Sequence, residues 1–396
     1  MMNKNHFFLL GFIMFLTMTG YGIVLPTLPF LADNLQLTSF QMGTLITGWA
    51  TAQLVTAPFW GKLADTIGRK KVLIAGLFGF GIAFLLLILA NSYFQLLFAR
   101  IIGASLSSGT YPAAFAIVAD STDYKNRNVA IAKMGALSGL GFLCGPAVGG
   151  IFAQFGVIVP FVVAGSLALI TTPIAWKFLQ EPRQTGVIIG QPESYFRSFS
   201  ILLKRGYREL YAVSLGVSIA ASSFFGLIGY FMIARFNATP GYVSLAFSIE
   251  AGLAVIVQFF LLERFYRIWK EESVMKQGLI ITVIGYGMIA LSPHWMVIMV
   301  GCAFIGFGQA CVLPVIVSLL SKRGQYGQGI TMGMNESMDS LGRMIGPLIG
   351  GFTFSLSIMF PFLTSAAIVF LLLVMTIVQG KGIKREDREG YVEKGV

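Results

Sequence analysis

Apolar runs, each about 20 residues long and broken by short polar turns, recur from one end of the chain to the other. As a helix, a run of that length matches the roughly 30 Å hydrocarbon core of a bilayer. Twelve runs read as membrane-spanning helices, at about 7–29, 40–60, 72–90, 94–118, 129–153, 158–178, 210–233, 241–262, 277–292, 295–320, 328–354 and 358–379. The ninth is short and the eleventh carries charges, so those two have the weakest pattern. The first is too long for the apolar core of a cleaved leader, is flanked by a single Lys4, and precedes no clean small-residue cleavage site. It reads as a retained helix.

A polar stretch, 180–209, contains Pro182 and Pro192 and separates six spans from six. It reads as a cytoplasmic connector between residues 1–179 and 210–380, with 381–396 as a cytoplasmic tail. The two halves share one motif. Gly141–Gly150 and Gly342–Gly351 both follow GxxxGPxxGG, at an offset of 201 residues that maps the fifth span onto the eleventh. The expected fold is therefore an all-α membrane protein, twelve transmembrane helices in two pseudo-symmetric six-helix bundles. Six-plus-six repeats of this kind build transport sites at the repeat interface.

Composition sharpens the picture. The mean hydropathy is +0.78 and only 11% of residues are charged, against about 25% in soluble domains. A net charge of +11 could suggest nucleic acid, but its distribution does not. With the N-terminus placed inside, 25 of the 28 Lys and Arg fall on or beside the cytoplasmic face. The exceptions are Arg235 in an outer loop and Arg100 and Arg343 within spans. This is the positive-inside asymmetry, with both termini cytoplasmic. Cys144, Cys302 and Cys311 fall in spans, and neither they nor His6 and His294 have metal-ligand spacing. No GxxxxGK[ST] loop occurs, so an ion gradient rather than a nucleotide is the expected energy source, and no cofactor is expected. No nucleophile–base pair suggests an enzyme.

The candidate chemistry lies in charges at membrane depth. In Gly333–Gly351, "GMNESMDSLGRMIGPLIGG", Glu336, Asp339 and Arg343 share one helical face, with Asp339 and Arg343 four apart. Glu250 adds an acid about nine residues into the eighth span. Such groups should face water or one another. If Arg343 neutralises Asp339, Glu336 is left poised to load and release a proton. A wet position near the membrane rim is the competing reading for the trio. Arg100 should face a cavity or a partner, against snorkelling to the outer interface. Gln53, Gln309, Phe224, Phe225 and Tyr230 are candidate cargo contacts. Gly145, Pro146, Gly149, Gly346, Pro347 and Gly350 form close-packing, bendable surfaces suited to gating. Between spans two and three, Gly61 and Gly68 allow a tight turn, while Asp65 can accept from Arg69 or cap a short helix.

These motifs resemble those of the major facilitator superfamily. Gly61–Lys71 matches its G-x-L-A-D-x-x-G-R-K-x loop, and Gly141–Gly150 resembles the GPxxGG signature of its antiporters. Gly20–Pro29, "GYGIVLPTLP", is similar to the first-span signature of its twelve-span drug:proton antiporters. Arg100 sits where the family's fourth-span motif places an arginine. The likeness departs from pattern in the second half, where 262–272 has no glycine turn, the fourth-span arginine becomes Gly301, and Ala132 stands where glycine is usual. The resemblance implies that Asp65 and Arg69 stabilise one conformation and that Arg100 takes part in proton coupling. It also implies a monomeric exporter of small molecules in a bacterial cytoplasmic membrane, driven by protons, with drugs the expected cargo. Alternatives are a dedicated exporter of an anionic or zwitterionic metabolite such as a metallophore, a glycolipid flippase, or a non-transporting sensor.

Overall fold

A computed structural model describes residues 4–122, 127–181, 204, 207–322 and 328–393. Most of the 180–209 connector therefore lies outside the described residues. Among the described residues the regular structure is helical throughout. The first half contributes α1 (Lys4–Asn34), α2 (Ser39–Ile67), α3 (Arg69–Leu89), α4 (Tyr93–Ser107), α5 (Thr110–Ser121), α6 (Arg127–Ala153) and α7 (Val159–Phe178). The second contributes α8 (Tyr207–Phe236), α9 (Pro240–Ile256), α10 (Leu262–Ile268), α11 (Glu271–Ala290), α12 (Trp295–Lys322), α13 (Gln328–Leu356) and α14 (Phe360–Glu393).

Ten stretches among the described residues are long and apolar enough to cross a membrane. The ninth expected span, now α11, is one of them. Two 29-residue helices, α2 and α13, fall short. Both interleave polar side chains with apolar ones: Thr, Gln, Lys and Asp in α2, and Asn, Glu, Asp and Arg in α13.

Several boundaries differ from the sequence pattern, each for a local reason. Residues 61–67 are not a loop but the last two turns of α2, because Lys62–Ile67 holds nothing that stops a helix. The turn into α3 is the single residue Gly68. The fourth span is split at Ser108 and Gly109, where Pro112 withholds a backbone donor from the joining turn. The eighth span passes through a π-helical turn, Val257–Leu261, before α10. The twelfth runs on as helix to Glu393, its apolar part ending at Val378.

The chain forms two compact units that do not coincide with its sequence halves. The first takes the chain through α7 together with Phe225–Ser248 and Pro347–Ile358. The second takes α8 up to Phe224, Ile249–Gly346 and α14. In the first unit α1 packs on α6 and α3 on α4 and α7, around Phe80, Phe84 and Phe161. In the second, α11 lies between α12 and α14.

Candidate functional site

The second unit holds the buried acid. Glu250 on α9 is 6% exposed, and its carboxylate makes no hydrogen bond or ion pair among the described residues. Gly306 of α12 fixes its depth: a Cβ there would collide with the Glu250 carbonyl, so the two backbones touch. Two groups, Tyr286 of α11 and Cys302 of α12, sit within electrostatic reach of Glu250, and Gln309 of α12 lies beside Tyr286. Among the described residues the Tyr286 hydroxyl and the Gln309 amide nitrogen are buried with no hydrogen bond of normal geometry, although the two side chains lie close to each other. Phe224 covers Tyr286 edge-on, ring centroids 6.2 Å apart. Among the described residues a carboxylate so placed has no cationic partner.

The α13 trio is brought together, but not as expected. Arg343 bridges both acids, at 2.9 Å to Glu336 and 2.5 Å to Asp339. Glu336 is therefore not left alone in a low dielectric; its side chain is 71% exposed, and that of Arg343 52%. One Arg with two donor-bearing nitrogens suffices for both carboxylates, because one helical face carries all three. Asp339, 28% exposed, also accepts from the Ser218 hydroxyl of α8. Ser218 escaped the sequence reading, although Ser214, Ser218 and Ser222 recur every four residues along a span, a polar stripe that marks a packed face.

In the first unit Arg100 does not snorkel. It is 6% exposed, its guanidinium carbon lies 4.4 Å from the centre of the Trp49 ring, and Nε donates to the Leu45 carbonyl at 3.4 Å. The aromatic face and the carbonyl supply negative potential in place of a carboxylate. Tyr21 stacks edge-on against Trp49 and meets the Ser107 hydroxyl at 3.5 Å. Gln53 is half-buried on α2.

The charged turn is larger than its motif. Arg69 pairs with Asp65 at 3.7 Å, with Asp120 of α5 in close contact, and donates to the Ala116 carbonyl at 2.7 Å. Glu181, just past α7, accepts from the backbone amides of Arg69 at 2.6 Å and Lys70 at 3.2 Å, capping α3. Gly68 has φ +106°, and a Cβ there would meet the Glu181 carboxylate at 2.8–3.0 Å. Only glycine fits on both counts. Gly61, by contrast, is mid-helix with open space around it, so no turn depends on it.

The glycines of the repeated motif pack as close contacts. In the first unit Gly141 meets the Phe15 carbonyl, Gly145 meets Gly22 beside Pro146, and Gly149 meets Ile23. In the second, Gly342 and Gly346 meet Ser218, Ile219 and Ser222 of α8. Within the first unit, ends of helices from both sequence halves also meet. Gly43 abuts the Pro347 carbonyl, Ser39 donates to the Gly351 carbonyl at 3.3 Å, Gly229 abuts Pro29, and Gly150 abuts Ser244. Gly350 is buried beside this contact. Tyr230 belongs to the same seam rather than to a cargo surface: it is 9% exposed and its hydroxyl donates to the Leu37 carbonyl at 3.1 Å. Phe225 stacks on Phe247 with centroids 5.9 Å apart and faces Phe142 at 6.5 Å.

Comparison with known proteins agrees with this architecture. The family model described as Major Facilitator Superfamily matches residues 10–324 and 210–390. Multidrug resistance protein 2 of Bacillus subtilis (strain 168) is 30% identical over 384 residues, 95% of each chain. Quinolone resistance protein NorA of Staphylococcus aureus (strain MRSA252) is 26% identical, covering 96% of this chain and 97% of its own. Among solved structures, a bacterial homologue of the human lysosomal transporter Spinster, inward-facing and occupied, shares the fold with a TM-score of 0.79 at 14% identity, covering 96% of this chain and 98% of its own. The nucleoside transporter NupG does so with a TM-score of 0.78 at 13% identity, covering 94% and 99%. The chain belongs to the Major Facilitator Superfamily, and it is a membrane transporter rather than an enzyme.

Proposed function

We propose that the protein exports small organic molecules, amphipathic and often cationic drugs among them, in exchange for protons. Cargo class and direction are supported by similarity to multidrug resistance proteins over 95% of the chain. Coupling is supported by Glu250, and that one observation carries the mechanism. A carboxylate at that depth with no cationic neighbour has to be compensated by something that comes and goes. A proton can do this, and so can a cationic cargo, but not both at once. Binding cargo therefore expels the proton, and proton re-entry expels the cargo, which is antiport by competition.

The α13 trio plays a different part. Asp339 and Glu336 already hold a counterion in Arg343, so they offer a charged, hydrogen-bonding surface. Arg100, held by Trp49 and Leu45, places a guanidinium inside the first unit. The protein works as a monomer in a bacterial cytoplasmic membrane, with the proton gradient as its only energy source.

Everted membrane vesicles test this directly. Wild-type vesicles should accumulate a lipophilic cationic dye when acidified inside, and Glu250→Gln should reduce this accumulation at least about tenfold with the protein present at wild-type level. Accumulation by Glu250→Gln at the wild-type rate, or wild-type accumulation that survives collapse of the pH gradient, would overturn the proposal.

A further inference from the structure

Where α2 ends and α3 begins, beside the end of α7, a cavity of about 300 Å³ opens on the surface of the first unit. Its walls are Ile67, Lys70, Lys71, Ile74, Trp176 and Glu181. Glu181 is the one carboxylate on that wall, and it is already committed to the α3 amides of Arg69 and Lys70. Its charge sits on the positive end of the α3 dipole. The two lysines have no such commitment: among the described residues neither has an ion pair, and Lys70 rests its ammonium 5.9 Å from the centre of the Trp176 ring. The cavity thus presents two cations and one carboxylate whose oxygens are already hydrogen-bonded to backbone amides.

Its other side is greasy. Ile67 and Trp176 are 44% and 60% exposed, and the neighbouring Phe178 is 55% exposed under Lys177. The apolar stretches Arg69–Leu89 and Val159–Phe178 both reach their polar ends here. A tryptophan and lysines at the end of a spanning helix mark the headgroup level of a bilayer. A site that is cationic on one side, apolar on the other and at headgroup depth matches an anionic amphiphile embedded in the membrane.

We propose that this cavity binds the phosphate of an anionic phospholipid. Lys70 and Lys71 hold the phosphate oxygens, while Ile67, Ile74 and the Trp176 indole cover the first methylenes of its acyl chain. Because Lys70 also lies in the first turn capped by Glu181, the bound headgroup braces the Gly68 turn from the membrane side.

Native mass spectrometry of the purified full chain, titrated with dioleoylphosphatidylglycerol or dioleoylphosphatidylcholine, tests this. The wild type should retain phosphatidylglycerol in preference. Lys70→Gln should weaken retention about fivefold and the double variant Lys70→Gln/Lys71→Gln about thirtyfold, with phosphatidylcholine unaffected. Lys270→Gln, an exposed lysine outside the cavity, serves as control and should change nothing. Equal loss in Lys270→Gln would reduce the effect to general surface charge and overturn the site. Complete displacement of the lipid by millimolar inorganic phosphate would make it a free-anion site and overturn the lipid assignment. Retention unchanged in the double variant would end the proposal.

Discussion

The two GxxxGPxxGG helices, α6 and α13, carry the same packing surface and opposite chemistry. In α6 the glycine ridge lies against α1; in α13 it lies against α8, the first helix of the second half. Both ridges end on a helix from the other sequence half, Gly150 on Ser244 and Gly351 on Ser39. Yet the offset of 201 residues that aligns the glycines sets Glu336 against Gly135, Asp339 against Ser138 and Arg343 against Phe142. Small residues let backbones touch, and that requirement is common to both halves. Charge is not needed for packing, so only one copy carries it. The difference separates the part of the motif that holds the helices from the part that carries charge.

The largest effect should come from the shared part. A Cβ at Gly145 would lie 2.5 Å from the Cα of Gly22 and from the Thr19 carbonyl oxygen, both backbone atoms that cannot step aside. At Gly346 it would collide with the Ser222 hydroxyl and the Ile219 carbonyl. Gly145→Ala and Gly346→Ala should each cost about 1–3 kcal/mol, read as matching drops in thermal midpoint in detergent. A large drop for one and none for the other would break the equivalence.

The unshared part comes next. Arg343→Gln removes the counterion of Glu336 and Asp339 and should lower dye export about tenfold or more at unchanged expression. At the aligned position, Phe142→Leu should leave export within about twofold, as an apolar swap of lesser volume does. Comparable losses would mean that the charge at 343 is structural.

The smallest effect belongs to the seam. Tyr230→Phe deletes the hydroxyl that bonds the Leu37 carbonyl but keeps the ring against Phe354. One such bond is worth about 1 kcal/mol, so labelling of a cysteine at Gln36 by an impermeant thiol reagent should speed up about fivefold. An unchanged rate would mean the hydroxyl does not latch this end.

How much could be read from sequence follows from what each feature needs. The glycine repeat was legible because close approach permits few residue types. Glu250 and Arg100 were legible because an ionisable group in an apolar run is costly enough to demand a reason. Their surroundings were not. Tyr286 and Cys302 are unremarkable in apolar helices, and only folding places them near Glu250, 36 and 52 residues away. Asp120 and Glu181 complete the Arg69 turn from 51 and 112 residues along the chain, a separation that no local pattern spans. Gly61 misleads, since a glycine beside a charged run looks like a turn where the helix simply continues. Tyr230 has the pattern of a cargo contact, because an aromatic hydroxyl in a span suggests a pocket; the same atoms serve as well to tie a carbonyl. The Arg343–Glu336 pair is not legible, as spacing shows which residues share a face but not how many partners one guanidinium takes.

The central claim is that Glu250 alone among these carboxylates exchanges its proton for cargo. The direct measurement is proton release from purified protein in weakly buffered detergent, followed with a pH indicator as a cationic substrate is added. Wild type should release about one proton per bound cargo. Glu250→Gln should release none while Glu336→Gln still does; full release from Glu250→Gln would contradict the account.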